Sequence, residues 1–209
     1  MRSPGEPREG NVRWLRAGLS LLVASALVLY PLLMYIGESR LGVQGLAIGV
    51  IAVCVLRLAV SRFGAPSRDA RAAFGIRELL LICCGAIALA LASIWRGSSS
   101  AMLYYPVLVN GVMLVAFAGS LFSPPTVVER IARLRDKDLP AQAIPYLRRV
   151  TAAWCVFFIS NGAIALYTAT ASSFETWALY NGLIAYVLIG TMFAGEFLIR
   201  IRVMRGVRK

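Results

Sequence analysis

The chain has 209 residues, 59% of them apolar, with a net charge of +12 and a mean hydropathy of +0.72. Soluble domains use about 45–50% apolar residues and could not hide this much apolar surface, whereas a bilayer removes the need to hide it. The basic residues fall in short clusters between apolar runs rather than on one soluble face, which excludes a nucleic-acid binder and marks a topology signal instead.

In chain order, the first apolar run covers about 15–36, long enough to cross roughly 30 Å of hydrocarbon as a helix. Arg2, Arg8, Arg13 and Arg16 precede or open it, as in a signal peptide. The run is too long for an ordinary signal core, and Tyr35-Ile36-Gly37-Glu38 offers no small-x-small cleavage site, so the reading is an uncleaved first span. The second run, about 42–60, carries Gly45 and Gly49 in a G-x-x-x-G pattern with Gly42 one turn before, which suits close packing within the chain or between copies. The third run, about 78–95, opens with Glu78, whose charge complements a helix N-terminus. The fourth run is about 102–122.

A connection over about 123–149 follows, too short for a soluble domain of its own. After Pro124 and Pro125, Thr126 and Glu129 form a capping box. Val127, Val128, Ile131 and Leu134 then make one apolar stripe, with Arg130, Arg133, Arg135 and Lys137 elsewhere on the wheel. That pattern predicts a short amphipathic helix on the cytoplasmic leaflet, its basic residues toward anionic headgroups. Pro140 and Pro145 are expected to break the chain before the fifth run, about 150–170. The sixth run is about 175–198, leaving a basic tail over 199–209. Alternating β-barrel patterning is absent, and backbone groups in lipid must be satisfied internally, so the runs are read as helices. The fold class is therefore all-α, a polytopic membrane protein of about six spans plus one interfacial helix.

Orientation follows from the charges. The N-terminal tail, the second and fourth connections and the C-terminal tail hold every one of the 22 Lys and Arg residues except Arg40 and Arg96. The positive-inside rule places that rich set, and both termini, on the cytoplasmic side. Trp14 and Trp154 fall near the inner interface, and Trp95, Tyr104, Tyr105, Trp177 and Tyr180 near the outer one, depths that suit amphipathic rings.

Polar groups inside the bilayer are the functional candidates. Asn161 lies near the middle of the fifth span, and Asn110 and Asn181 in the outer halves of the fourth and sixth. They either pair helices, at about 0.6–2 kcal/mol each, or line a small polar cavity. Glu196, near the inner end of the sixth span, has Arg200 four residues on and Arg57 as a second partner for an ion pair. Arg148 and Arg149 abut the fifth span and, with Arg130 and Arg133, could contact lipid phosphates or a partner while also serving as topology charges. With no histidine in the chain, the commonest general base and metal ligand is missing. Cys54, Cys83, Cys84 and Cys155 all sit in apolar runs without a C-x-x-C pair, and read as buried reduced thiols. No P-loop, G-x-S-x-G, Asp-rich prenyl-transfer motif or metal-ligand cluster occurs, so no catalytic, metal or cofactor residue is assigned.

Pro-Pro-Thr-Val-Val-Glu-Arg at 124–130, Asp138-Leu139-Pro140 and Val150-Thr-Ala-Ala-Trp154-Cys-Val-Phe-Phe158-Ile-Ser-Asn161-Gly162 resemble the intracellular septation protein A family of bacterial inner-membrane proteins. Its members share a proline-led short helix, a Leu-Pro segment and a span opening Ala-Trp-x-x-Phe-Phe. Tyr104-Tyr105-Pro106-Val107-Leu108-Val109-Asn110, Trp177-Ala-Leu-Tyr180-Asn181-Gly182 and Ala194-Gly195-Glu196 are similar to small membrane proteins encoded beside aryl-polyene or xanthomonadin-type pigment genes. Some of that set carry a ketosynthase label, but this chain lacks the histidines and the soluble thiolase-type domain that such activity requires. The longer basic N-terminus and the Trp177–Gly182 segment depart from septation protein A. The resemblance implies a non-enzymatic protein that supports cell-envelope biogenesis, division or pigment-lipid assembly through envelope or pigment-biosynthesis proteins, lipids or a second copy. The alternative is a small transporter or lipid-handling protein with a polar intramembrane cavity.

Overall fold

The computed structural model describes residues 44–45, 47–56, 59, 76–135 and 139–207. The first predicted span and the whole basic N-terminal tail lie outside them, as does part of the second span. The chain divides into two units, 1–105 and 106–209, each described here by itself.

In the first unit, the second run contributes helix α1, Ala47–Leu56, and the third contributes α2, Ile76–Arg96. Small side chains dominate what these helices bury: Ala47, Cys54, Cys83, Ala86, Ala90 and Ser93. On α2 the buried positions recur every three or four residues, one face of a helix. Small residues let helix backbones approach closely where lipid offers no hydrophobic drive to associate. Cys54 and Cys83 stand in hydrogen-bonding contact across the pair. Gly49 of the G-x-x-x-G pattern makes no close contact among the described residues: it is exposed and a Cβ on it would meet nothing within 4 Å. Cys84, expected to be buried, is exposed, while the other three cysteines are buried and all four are free thiols.

α2 ends on a glycine for a backbone reason. Gly97 takes φ +62°, its N–H bonds to Ile94 O, and the N–H of Ser98 bonds to Ser93 O. These two bonds close the helix on a left-handed residue and satisfy its last carbonyls. A 3₁₀ turn over Ser99–Tyr104 follows, capped by the Ser98 hydroxyl.

In the second unit, α3 (Tyr105–Phe122) leads through a cis Pro124–Pro125 bond to the short α4 (Val127–Arg135). The capping residue works as its spacing implies: Thr126 Oγ1 accepts from the Glu129 N–H at 3.3 Å. Ser120 makes the corner, donating to Phe117 O at 2.7 Å and accepting from the Val127 N–H at 3.1 Å. α5 spans Ile144–Ala171 with proline in its first turn. Pro145 therefore opens the helix instead of breaking the chain, because a first-turn residue needs no N–H partner. The fifth span accordingly starts about six residues before the hydropathy edge, and Arg148 and Arg149 ride on it.

Ser172 and Ser173 turn the chain, with Ser173 Oγ capping α6 (Phe174–Leu179). A π turn over Tyr180–Ile184 then joins α6 to α7 (Ala185–Val207). Among the described residues, four helical stretches are long and apolar enough to cross a membrane: Arg77–Arg96, Ser99–Phe122, Ala141–Ala171 and Phe174–Ile199. The described residues contain no strand.

Candidate functional site: a polar chain and a groove along α5

The side chains that α5 buries are Leu147, Thr151, Trp154, Phe158, Asn161, Ala165 and Thr168, with Cys155 beside them. Apart from Cys155 they alternate in steps of four and three, the seam spacing of packed helices. At 1.5 Å per residue, Trp154, Asn161 and Thr168 follow one another at intervals of about 10 Å. They organise three levels in the second unit.

The innermost level is aromatic. Trp154 packs against Phe117 (6.3 Å between ring centroids), Phe158 (5.7 Å), Phe157 (5.5 Å) and Phe193 (4.8 Å). Val127 of α4 closes this cluster. Trp154, expected at the membrane interface, is thus a core residue, and Trp177 is fully buried as well, stacked on Phe174. Trp95 is 90% exposed, as an interfacial aromatic should be.

The middle level joins three spans through hydrogen bonds running one way. Tyr180 Oη donates to Asn161 Oδ1 at 2.9 Å. Asn161 Nδ2 donates to Asn110 Oδ1 at 3.0 Å. Asn110 Nδ2 donates to the carbonyl of Pro106 at 2.8 Å. Both asparagines are buried. Amides suit this place because each offers a donor and an acceptor, and unpaired polar groups in hydrocarbon are costly.

The third candidate asparagine does not join them. Asn181 Nδ2 donates to Thr168 Oγ1 at 3.1 Å and to Trp177 O at 2.9 Å. Thr168 passes its own proton to Ala165 O at 3.0 Å. Asn181 Oδ1 is buried without a hydrogen-bond partner. The π turn places Tyr180 and Asn181 one after the other at two levels; such turns are frequent at functional sites.

Beside this polar chain, a groove of about 430 Å³ runs between α5 and the π turn with α7. Its walls are mostly apolar, among them Val150, Trp154, Phe157, Leu188 and Met192. One end carries Tyr146, Glu196 and Ile199; the other carries Asn161, Ile164 and Tyr180. Asn161 reaches the groove, Asn110 and Asn181 do not line it, and polar groups sit chiefly toward its ends. Tyr146 Oη donates to the main-chain oxygen of Glu196 at 3.3 Å, tying α5 to α7 at the Glu196 end. The expected Glu196 pairings with Arg200 and Arg57 involve side chains outside the described residues.

The basic candidates behave differently from one another. Arg133 donates to Glu129 Oε1 from Nη2 at 2.7 Å and from Nε at 3.0 Å, so a nearly buried carboxylate already holds it. Arg130 Nε donates to Pro125 O at 2.9 Å. Arg148 and Arg149 are exposed. The apolar stripe of α4 is split: Val127 is buried, whereas Ile131 and Leu134 are exposed. Among the described residues no group of three or more His, Cys, Asp or Glu could hold a metal ion. Glu78, in the first turn of α2, has its Oε2 buried without a hydrogen-bond partner.

Sequence reasoning missed Tyr180, Thr168 and Ser120 as partners. Tyr180 had been read as an interfacial aromatic. Thr168 shares the seam spacing with Asn161 and Trp154, a signal that would have found it.

No protein-family profile matches the chain, and no solved structure matches it. The chain is 31% identical over 111 residues to the inner membrane-spanning protein YciB of Marinomonas sp. (strain MWYL1). That alignment covers 51% of this chain and 60% of the relative, less than two thirds of the relative's length. With four helices fit to cross a bilayer among the described residues, which are helical throughout apart from short turns, the chain is a transmembrane protein similar to a protein of the inner membrane.

Proposed function

We propose that this is a non-enzymatic, multi-pass inner-membrane protein of the septation and envelope type, acting through contacts with partner proteins and lipids. The Tyr180–Asn161–Asn110 chain carries the reading: costly intramembrane polar groups are spent on joining three spans, as in a scaffold. The similarity to an inner membrane-spanning protein and the septation-like segments of 124–162 support it. The distribution of Lys and Arg supports six spans with both termini in the cytoplasm. The basic connection over 123–149, with Ile131 and Leu134 exposed, is the proposed contact surface for anionic headgroups or partners. Deleting the gene in its host should weaken the envelope against osmotic and detergent stress. In-cell cross-linking from residues 130–149 should recover an envelope-synthesis or division protein. A deletion strain with an unimpaired envelope overturns the reading.

A second reading is a lipid-handling role, which includes pigment-lipid assembly. The groove between α5 and α7 favours it, and it requires a bound lipid species that differs from the bulk membrane.

A further inference from the structure

The groove has a shape that limits its occupant. Along α5 it extends from Tyr146 to Ile164, about 27 Å at the helical rise. Spread over that length, a mostly apolar groove of 430 Å³ has the form that one linear hydrocarbon chain fills.

Its length matches a leaflet. From Tyr146 to the polar floor at Asn161 is about 22 Å, the distance from the outer edge of the headgroup region to the bilayer midplane. Its chemistry changes along that line. Between the ends, the walls are largely apolar. At the mouth, Glu196 is one of the lining residues, and exposed Arg149 stands one turn from Tyr146 on the same helix. An acid and a base at one mouth complement a zwitterion better than they complement an anion.

We propose that this groove is a lipid site: it holds one acyl chain of an amine-bearing phospholipid of the cytoplasmic leaflet, the ammonium on Glu196 and the phosphate on Arg149. The choice of leaflet rests on the proposed cytoplasmic termini. The chain tip ends beside Asn161 and Tyr180, the hydrogen-bonded pair at the far end of the groove.

The test uses the full-length protein in phosphatidylglycerol vesicles doped with phosphatidylethanolamine carrying a diazirine at the end of one acyl chain. After photolysis, adducts are mapped by peptide mass spectrometry. Adducts should concentrate on 161–164 and 180–188, about tenfold over the outward residues Val156, Ile159 and Tyr167. The same tail on phosphatidylglycerol should label those segments about tenfold less, as should the ethanolamine lipid on Glu196→Gln, the loss expected for one charge-assisted contact. Equal labelling of the outward face, equal labelling by the two headgroups, or wild-type labelling of Glu196→Gln overturns the proposal. The headgroup comparison needs no variant, so a misfolded Glu196→Gln leaves it decisive. A negative result here leaves the envelope phenotype of the deletion strain untouched, so the two readings fail separately.

Discussion

Gly162 and Asn110 meet where α5 passes closest to α3: a Cβ on Gly162 would lie 3.2 Å from the Cβ of Asn110. The atom it would press on is fixed to a backbone, and the Asn110 side chain is held at both ends by hydrogen bonds. Alanine gains about 1 kcal/mol of helix propensity over glycine, which offsets the push. Gly162→Ala should therefore change stability by less than about 1 kcal/mol. Gly162→Leu, which cannot be absorbed, should cost about 2–3 kcal/mol. Thermal unfolding in detergent micelles measures both, and a Leu variant as stable as wild type would show that α3 and α5 do not press together there.

The Asn110–Asn161 bond can be isolated by a double-mutant cycle. Asn110→Ala and Asn161→Ala should couple by about 0.6–1.7 kcal/mol, the range found for hydrogen bonds between membrane helices. Tyr180→Phe should cost less than Asn161→Ala, since Asn161 keeps its bond to Asn110 while losing one donor. Reversal of that order would mean the tyrosine hydroxyl, not the amide, anchors the chain.

Trp154 touches four other aromatic rings. Trp154→Ala should cost about 2–4 kcal/mol, mostly as cavity and lost dispersion contacts, because lipid already solvates apolar groups. Trp154→Phe should recover much of that loss. The midpoint of unfolding by tryptophan-independent circular dichroism reads the difference.

Arg133 holds a carboxylate that is itself almost fully buried. Because the arginine side chain is 42% exposed, solvent screens the pair and its loss should cost only about 1 kcal/mol. The effect should be local: Arg133→Ala should speed amide exchange in 127–135 while leaving 150–170 unchanged. Arg148→Ala, on an exposed residue, should change neither segment.

Gly97 stands in the left-handed region, where a Cβ costs about 1–2 kcal/mol. Gly97→Ala should lower stability by that amount, and Gly97→Asn by less. Equilibrium unfolding separates the three proteins.

The helical nature of the spans was legible from hydropathy because each apolar run had to satisfy its own backbone in lipid. The cap at Thr126 was legible because capping chemistry is local. What escaped depends on neighbours. Pro145 is as compatible with a helix start as with a break, and only the helix continuing through Arg148 and Arg149 decides between them. Trp154 has interfacial chemistry, yet aromatic partners from distant positions, Phe117 and Phe193, surround it. Of the candidate asparagines, spacing alone could not tell that Asn161 meets Asn110 while Asn181 meets Thr168.

The π turn has a consequence for how the last span can be oriented. In an unbroken α-helix, Trp177 and Ala185 would stand about 80° apart around the axis. The wider turn, in which the Ala185 N–H reaches back five residues to Tyr180 O, absorbs most of that phase difference. Trp177, Asn181 and Ala185 are consequently all buried, although the steps between them are four residues each. The span thus behaves as two helical screws joined by a phase adjuster. Its outer half holds Asn181 on Thr168, while its inner half, on a different phase, lines the α5–α7 groove with Leu188 and Met192.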